Sequence, residues 1–448
     1  MGCGGRRILW AELYHLGEFL GRQREFPLRA FGPRVGWDLY GTTLFGGTNA
    51  GSVFKMTPAG LLTNLHSFAG PEGAVPYFGG LVQTANGTFY GTTQSGGTAT
   101  ICFGGCGMVF AISLGGKVTA LYSFTGLLDG YGPKAGLVLA TNGSFYGSTE
   151  QGGANGAGTL FKITSAGKLT TLYSFAGPDG ANPTGTLIQA YDGNLYGTTH
   201  SGGSSNAGTI FKISLAGTLT TLASLDGTSN FAPFAGLIQA TDGNFYGTTA
   251  FAGINGTGSI FKITPAGLLT TLYGFNGPDG ASPYSALVQA TDGNFYGTTE
   301  SGGSSADGFG TIFKITPGGA LTTLHSFDGT DGSYPFDALL QATDGTFYGT
   351  TSTNGAVGAV GTVFSLSMGL GPFVKASPAS GKVASTVRIL GTNLTGATSV
   401  TFHGTAAAFA VVSASEITAT VPAGATTGKI QVVTPGGTLS SNVSFRVP

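Results

Sequence analysis

From residue 38 to residue 367, apolar positions come in short runs separated by glycine-rich polar stretches. In one such run Leu169, Thr171, Tyr173 and Phe175 fall on one side, with Thr170, Leu172 and Ser174 on the other. A period of two in so short a run predicts a β-strand, because successive side chains leave opposite faces. Four runs follow one another in a fixed order. The first is Leu-Ile-Gln-Ala (187–190 and 237–240), and the second is Asn-Phe-Tyr-Gly-Thr-Thr (244–249). The third is Thr-Ile-Phe-Lys-Ile (209–213 and 311–315), and the fourth is Leu-Thr-Thr-Leu-Tyr-Ser-Phe (169–175). Between the first and second stand Asn86-Gly87, Asn142-Gly143, Asp192-Gly193, Asp242-Gly243, Asp292-Gly293 and Asp344-Gly345. These dipeptides predict hairpin turns of type I′, which need positive φ at both central residues.

The four-run unit repeats. Aligned on Tyr-Gly, the copies stand at Tyr40, Tyr90, Tyr146, Tyr196, Tyr246, Tyr296 and Tyr348, at intervals of 50, 56, 50, 50, 50 and 52 residues. Antiparallel units of four strands at this period predict an all-β fold, a seven-bladed β-propeller of four-stranded blades. A parallel β-helix is the lesser alternative, since it lacks regular hairpins. The second and third strands occur in every copy, but one copy lacks the first and one lacks the fourth. Closure of the ring by an N-terminal strand is therefore expected. The segment Pro27–Pro33, similar in sequence to Thr171–Pro178, is the candidate, and the first strand of the first unit is missing. Residues 1–37 are otherwise atypical. They read either as a short helix with the stripe Leu9, Leu13, Leu16 and Leu20, or as the product of a misplaced start. Beyond Ser367, strands at Thr386–Leu390, Ser399–Phe402, Ala408–Val412, Glu416–Val421, Lys429–Val433 and Val443–Val447 predict a small immunoglobulin-like β-sandwich. The chain thus divides into 1–37, a propeller at 38–370 and a sandwich at 371–448.

Composition narrows the function. Only 9% of residues are charged and the net charge is −1, with 81 glycines and 11% aromatic residues. All arginines lie in residues 1–34 or at Arg388 and Arg446, and the lysines are scattered singly. Without a cationic stripe, nucleic acid and anionic membrane surfaces are poor partners. No apolar run is long enough to span a bilayer. Cys102 and Cys106 lie in the inserted Cys-Phe-Gly-Gly-Cys of the longer second interval, and Cys3 stands alone. This spacing fits no common zinc pattern; a local disulfide between Cys102 and Cys106 is the simpler reading and favours an oxidising compartment.

Chemistry on a repeat should show where copies differ. The residue after Tyr-Gly-Thr-Thr (Tyr-Gly-Ser-Thr in the third copy) is Leu44, Gln94, Glu150, His200, Ala250, Glu300 or Ser352. Gln94, Glu150, His200 and Glu300 are the candidate ligand-binding residues. Two carboxylates and a histidine are also acid/base material, if they converge. Otherwise this is a solvated loop position free to vary. A second set, Glu72, Asp129, Asp179, Asp279 and Asp331, each precedes a glycine in the long returning loop. Each loop supplies too few oxygens for a Ca²⁺ site, and turn chemistry is the simpler reading. His66 and His325 stand where other copies have tyrosine, and His403 follows a strand of the tail. No catalytic residue, metal site or cofactor is expected.

Two resemblances follow. "SPASG", "VRILGTNLTGATSVTFHGTAA" and "ITATVPAGATTGKIQVVTPGG" resemble the IPT/TIG domain over about residues 372–448, without the double glycine that often precedes its second strand. "LIQATDGNFYGTT", "GSIFKITPAG" and "LTTLYGFNGPDGA", between Leu237 and Ala281, are similar to the GloVer tandem repeats of bacterial surface and secreted proteins, and residues 38–367 repeat that pattern. The resemblance implies export or surface attachment, and it carries over no catalytic residue. The expectation is a non-enzymatic extracellular or cell-surface scaffold binding glycan, protein or matrix, with the sandwich as spacer or second contact. The alternatives are a propeller glycosidase or polysaccharide lyase using Glu150, His200 and Glu300, and a structural coat or adhesion component.

Overall fold

The structure, a computed structural model, describes residues 38–45, 50–77, 80–253, 255–353 and 361–448, and the backbone of 14–18. Every regular element among the described residues is a β-strand. In the fourth unit Ile188–Gln189, Leu195–Thr199, Thr209–Ile213 and Leu219–Ser224 lie side by side in chain order, each pair antiparallel. The second, third, fifth and sixth units repeat this order. These are propeller-like blades, and their antiparallel ladders exclude the parallel β-helix. The first strand is only two residues long in each, shorter than the apolar run that marks it in the sequence.

Two local expectations are corrected. The hairpin after the first strand is not type I′. Gly193 N–H bonds to Ala190 O (3.0 Å) and Ala190 N–H to Asn194 O (2.9 Å), which closes a three-residue loop. Only the glycine has positive φ (Gly193 91°, Gly243 82°, Gly293 81°), so the loop is a type I turn followed by a left-handed glycine. The Asp192 carboxylate explains the choice. It accepts from Asn194 N–H (3.0 Å), Asn194 Nδ2 (2.8 Å) and the Tyr196 hydroxyl (2.9 Å), which a negative φ at the aspartate permits. The fourth strand also does not alternate cleanly. Its pairing with the third slips by one residue between Leu160 and Phe161, leaving Leu172 as a bulge. Leu172 and Tyr173 therefore pack into one cluster instead of opposite faces.

The strongest glue lies between units. Tyr196 stacks on Phe245 (4.2 Å, 25°), Tyr246 meets Phe295 at 4.2 Å, and Tyr296 meets Phe347 at 4.5 Å. Each Phe-Tyr phrase thus welds one sheet to the next, at roughly 0.5–1.5 kcal/mol per pair beyond area burial. Polar side chains repeat the weld. The first threonine of Thr-Thr donates across to the next unit, as Thr198 to Ala235 O (3.0 Å) and Thr248 to Ser285 O (2.9 Å). Gln239 Oε1 accepts Tyr191 N–H, and its Nε2 donates to Gly243 O. Leu39, Phe54 and Met56 of the first unit pack with Ala342, Tyr348 and Val363 of the last, so the series of sheets closes on itself.

The seam differs in detail from expectation. The first unit has three strands, Leu39–Thr43, Ser52–Met56 and Leu62–Ser67. The last unit gains its outer strand from the N-terminal segment, but that strand is Tyr14–Glu18, antiparallel to Thr362–Leu366. The helical alternative therefore fails at 14–18, where the open edge of Thr362–Leu366 offers a ladder of backbone partners. The expected closing strand Pro27–Pro33 lies outside the described residues.

The tail forms two sheets. One runs Lys375–Ser377, Thr386–Leu390, Glu416–Thr420, Phe409–Ser413, and the other Thr405–Ala406, Ser399–Phe402, Ile430–Thr434, Gly437–Ser440. Val387, Ile389 and Ile417 of one sheet and Val400, Phe402, Ile430 and Val432 of the other share a single core. The expected strand Val443–Val447 is reduced to isolated bridges. From this stretch Arg446 donates through Nη2 to Thr141 Oγ1 (2.8 Å) and through Nη1 to Ala190 O, docking the tail on the turns of the third and fourth units.

Candidate functional site

The backbone holds the variable column in place. Gln94, Glu150, His200, Ala250, Glu300 and Ser352 each donate their N–H to the carbonyl of a residue in the returning loop, at 2.8–3.2 Å. The acceptors are Val75, Gly132, Asn182, Ala232, Ser282 and Tyr334, each directly before a proline. All six have positive φ, between 55° and 66°. For the five that are not glycine, this left-handed conformation costs about 1–2 kcal/mol each, a strain held by the surrounding ladder. The residue after the proline is set beside the candidate as a result. It is Tyr77, Lys134, Thr184, Phe234, Tyr284 or Phe336. This second variable column was missed in the sequence, although its signal was there: six loop prolines followed by four different residue types, four of the six residues aromatic.

The two columns meet at one mouth. His200 lies 4.3 Å from Phe234, Phe234 4.9 Å from Tyr284, and Tyr284 stacks on Phe336 at 4.6 Å and 17°. Phe251 packs edge-on against Tyr284 at 6.0 Å. This aromatic arc runs through four consecutive units. Lys134 Nζ pairs with Glu150 Oε1 at 2.8 Å and sits 5.2 Å from the Tyr77 ring centre. A cavity of about 380 Å³ is lined by Leu44, Phe45, Tyr77, Glu300, Phe336 and Ser352 among others, drawn from the first, second, sixth and last units. That volume is within the range of small-ligand sites, roughly 300–1,000 Å³.

Burial, then the charges of Glu150 and Glu300, push the Tyr77 hydroxyl up. Tyr284 is pushed up to about 12 by burial, Glu300 and Tyr77. Burial lowers His200 below the usual imidazole range, Glu150 pulling it up and Lys134 down, so the ring is neutral at pH 7. Burial raises the Glu300 carboxyl, and among the described residues it has no ion-pair partner. Of the candidates, Glu300 lines the cavity, His200 packs on Phe234 and Glu150 pairs with Lys134. Gln94 shares the backbone geometry of the column.

The second acidic set does other work. Tyr122 donates to Asp129 (3.0 Å), Tyr173 to Asp179 (2.5 Å) and Tyr273 to Asp279, while His325 Nε2 lies 2.6 Å from Asp331 and His66 Nε2 3.2 Å from Glu72. The second carboxylate oxygen commonly caps a loop N–H, as at Ala176 and Asn276. Asp129, Asp179, Asp279 and Asp331 pin their returning loops to the fourth strand, and His325 keeps the tyrosine's partner, whereas His66 Nε2 lies near Glu72 without a hydrogen bond. Among the described residues no group of three His, Cys, Asp or Glu is placed to hold a metal. Cys102 and Cys106 form a disulfide in the second unit's loop. At the first strands, a separate cavity of about 450 Å³ is lined by Gln83, Val138, Leu187, Asp337 and, from the tail, Lys375. Burial lowers the Lys375 ammonium. No helix among the described residues is long and apolar enough to cross a membrane.

A closed series of propeller-like antiparallel sheets defines an all-β repeat protein. The chain belongs to the Gloeobacter/Verrucomicrobia repeat family, whose model matches residues 34–249 and 216–408, and it carries an IPT/TIG domain at residues 373–447. No curated protein matches the chain. Among solved structures it is similar to the extracellular domain of a protein described as a one component system from B. thetaiotaomicron, at 11% identity and a TM-score of 0.53. That match covers 97% of this chain and 52% of the other, so the chain spans about half the length of that structure. A Xanthomonas campestris gluconolactonase matches at 14% identity and a TM-score of 0.39, over 66% of this chain and 87% of that one. A 6-phosphogluconolactonase-like protein of Bacteroides fragilis matches at 20% identity and a TM-score of 0.45, over 74% and 89%. The first likeness supports the all-β repeat fold alone.

Proposed function

We propose that residues 38–370 form a seven-bladed propeller and residues 371–448 an immunoglobulin-like sandwich, in a non-enzymatic exported or cell-surface protein whose propeller mouth binds an extracellular glycan or surface protein. One observation carries this reading. Nearly every repeated residue is consumed by the fold, whereas the two positions that vary between copies are held side by side and meet in an aromatic-lined mouth. Stacked rings such as Tyr284 and Phe336 are rigid contact surface at low conformational cost. The Cys102–Cys106 disulfide fits an oxidising, exported setting. The sandwich, docked by Arg446 at the first-strand turns, is a spacer or second contact.

The experiment is a glycan array and an extracellular-extract pull-down with the full chain and with Tyr284→Ala and Phe336→Ala. Retention of a ligand by the wild type and its loss in both variants is the expected result. Equal retention by all three sinks the reading. One feature favours an enzyme: Glu300 lines the cavity, and burial raises its carboxyl in the direction a proton donor needs. Its partner is compromised, since Glu150 is spent on Lys134 and His200 is neutral against Phe234. Turnover of polysaccharides that disappears in both Glu300→Gln and Glu150→Gln would favour the hydrolase or lyase.

A further inference from the structure

The second unit departs from the repeat twice, and both departures put apolar side chains into solvent. Its strands are Val82–Gln83, Phe89–Thr93, Met108–Ile112 and Val118–Ser123. Between its second and third strands stands the insertion with Cys102 and Cys106. After its fourth comes Gly126-Leu127-Leu128-Asp129, where other units read Gly177-Pro178-Asp179 or Gly277-Pro278-Asp279. Ile101 is 63% exposed, Phe103 fully, Leu127 64% and Leu128 70%, four of the six most exposed large apolar side chains among the described residues. The two loops adjoin: a methyl group on Gly126 would stand 2.7 Å from Cys106 Sγ, 2.8 Å from Cys102 Sγ and 2.8 Å from Ile101 Cδ1. Both loops are tied down. Cys106 is buried and bonded to Cys102, and Gly104 O accepts Gly96 N–H at 2.7 Å. Leu127 O accepts Gly130 N–H (3.2 Å) and Gly153 N–H (2.8 Å), and the Asp129 carboxylate accepts Thr125 N–H (2.8 Å). The fastened backbone thus holds four apolar side chains out in water.

We propose that this tip docks the protein on an uncharged lipid surface, with Ile101, Phe103, Leu127 and Leu128 entering the interface. Area argues against a second copy of the chain. Four such side chains offer about 400–600 Å² of apolar surface, against about 800 Å² per partner in a stable protein interface. Shape argues the same way, since the tip ends in a fully exposed ring and fluid acyl chains need no matching pocket. Charge chooses the lipid. Residues 94–128 carry only Lys117, in the turn between the third and fourth strands at the other end of the sheet. Asp129 is buried among its hydrogen bonds. Affinity therefore comes from apolar area alone, and an anionic headgroup gains nothing over a zwitterionic one. Loops already fixed lose little freedom on insertion. The strands are antiparallel, so the tip lies at the opposite end of the sheets from the first-strand turns where Arg446 docks the tail. Bound protein would hold its tail away from the lipid. This inference is independent of the scaffold reading and of what the mouth binds.

The test is flotation of the full chain with phosphatidylcholine vesicles, beside Phe103→Ser and the double variant Leu127→Ser, Leu128→Ser. The wild type should float with the vesicles. Each variant should lose about tenfold in partition coefficient, the scale of one or two apolar side chains returned to water. These side chains are exposed, so the variants should melt like the wild type. Leu268→Ser, at a residue 68% exposed in the fifth unit, should partition like the wild type. Added salt should leave partition unchanged, because no charge pair is screened. A wild type that stays off the vesicles, equal flotation by the tip variants, equal loss in Leu268→Ser, or release by salt overturns the proposal. So does a wild type that is dimeric by ultracentrifugation without lipid and monomeric as Phe103→Ser, which would assign the tip to a second copy. None of these outcomes bears on the pull-down, so the scaffold reading stands or falls separately.

Discussion

One close contact repeated along the chain is the glycine of Tyr-Gly-Thr-Thr. A methyl group on Gly247 would stand 2.5 Å from Phe261 Cζ, 3.0 Å from Phe261 Cε1 and 3.0 Å from Leu237 Cδ2. Gly247 is not in the left-handed region, so Gly247→Ala carries no conformational penalty and the cost is one of packing. Carbon atoms settle at about 3.5–4.0 Å, so the ring must retreat by about 1 Å. Phe261 is fully buried between two sheets and has nowhere to go. Overpacking of this kind costs roughly 1–3 kcal/mol. Loss of unfolded-chain freedom returns about 0.4–1 kcal/mol, which leaves a net destabilisation of about 1–2 kcal/mol. Urea unfolding followed by circular dichroism should show a lower midpoint with an unchanged slope. Phe261→Leu removes the far end of the ring, so the double variant should be more stable than the sum of the singles, by roughly 0.5–3 kcal/mol. A wild-type midpoint for Gly247→Ala, or strict additivity, would refute the claim that this glycine exists to seat the phenylalanine.

Other outcomes follow from individual charged side chains. Glu300→Gln should raise the melting temperature near neutral pH. The wild-type carboxyl has a folded value above its unfolded one, so its penalty is full above the folded value and vanishes below the ordinary carboxylate range; a gain that persists unchanged in acid would contradict this. Asp242→Ala should cost about 1–3 kcal/mol by removing the acceptor of Asn244 N–H (3.0 Å) and the Tyr246 hydroxyl (2.8 Å). Burial opposes ionisation of Asp242, but its hydrogen bonds from Asn244 and Tyr246 outweigh it and hold the carboxyl low, so that stability is present above the usual aspartate range and lost as pH falls through the folded value. A pH scan of both proteins measures it. Lys375→Met should stabilise the protein, with the gain largest below the lowered folded value of the ammonium and gone above the ordinary lysine range. Thermal melts from neutral to alkaline pH check the sign.

In the repeat, strand identity, order and number could be read directly because each depends on local chemistry. Alternating runs, Asp-Gly turns and a constant interval each constrain a few neighbouring residues. The turn type could not be read, since Asp-Gly suits either hairpin and the choice came from the carboxylate's reach to Tyr196 or Tyr246. The bulge at Leu172 was equally hidden, because it answers to the sheet packed against it. Half the candidate site was legible, as a column where copies disagree. Its partner column was not, because residues 16 apart, such as Lys134 and Glu150, come together only through the returning loop.

The sequence by itself therefore determined what each unit is: four short strands, a glycine that admits a phenylalanine ring, and a tyrosine that reaches the next sheet. Only the tertiary structure decided what the units do together. Closing the series of sheets sets six variable positions against their loop neighbours, pairs Glu150 with Lys134, and leaves Glu300 part-buried at the cavity. Charge balance and burial are sums over residues far apart in the chain, and only their packing fixes them.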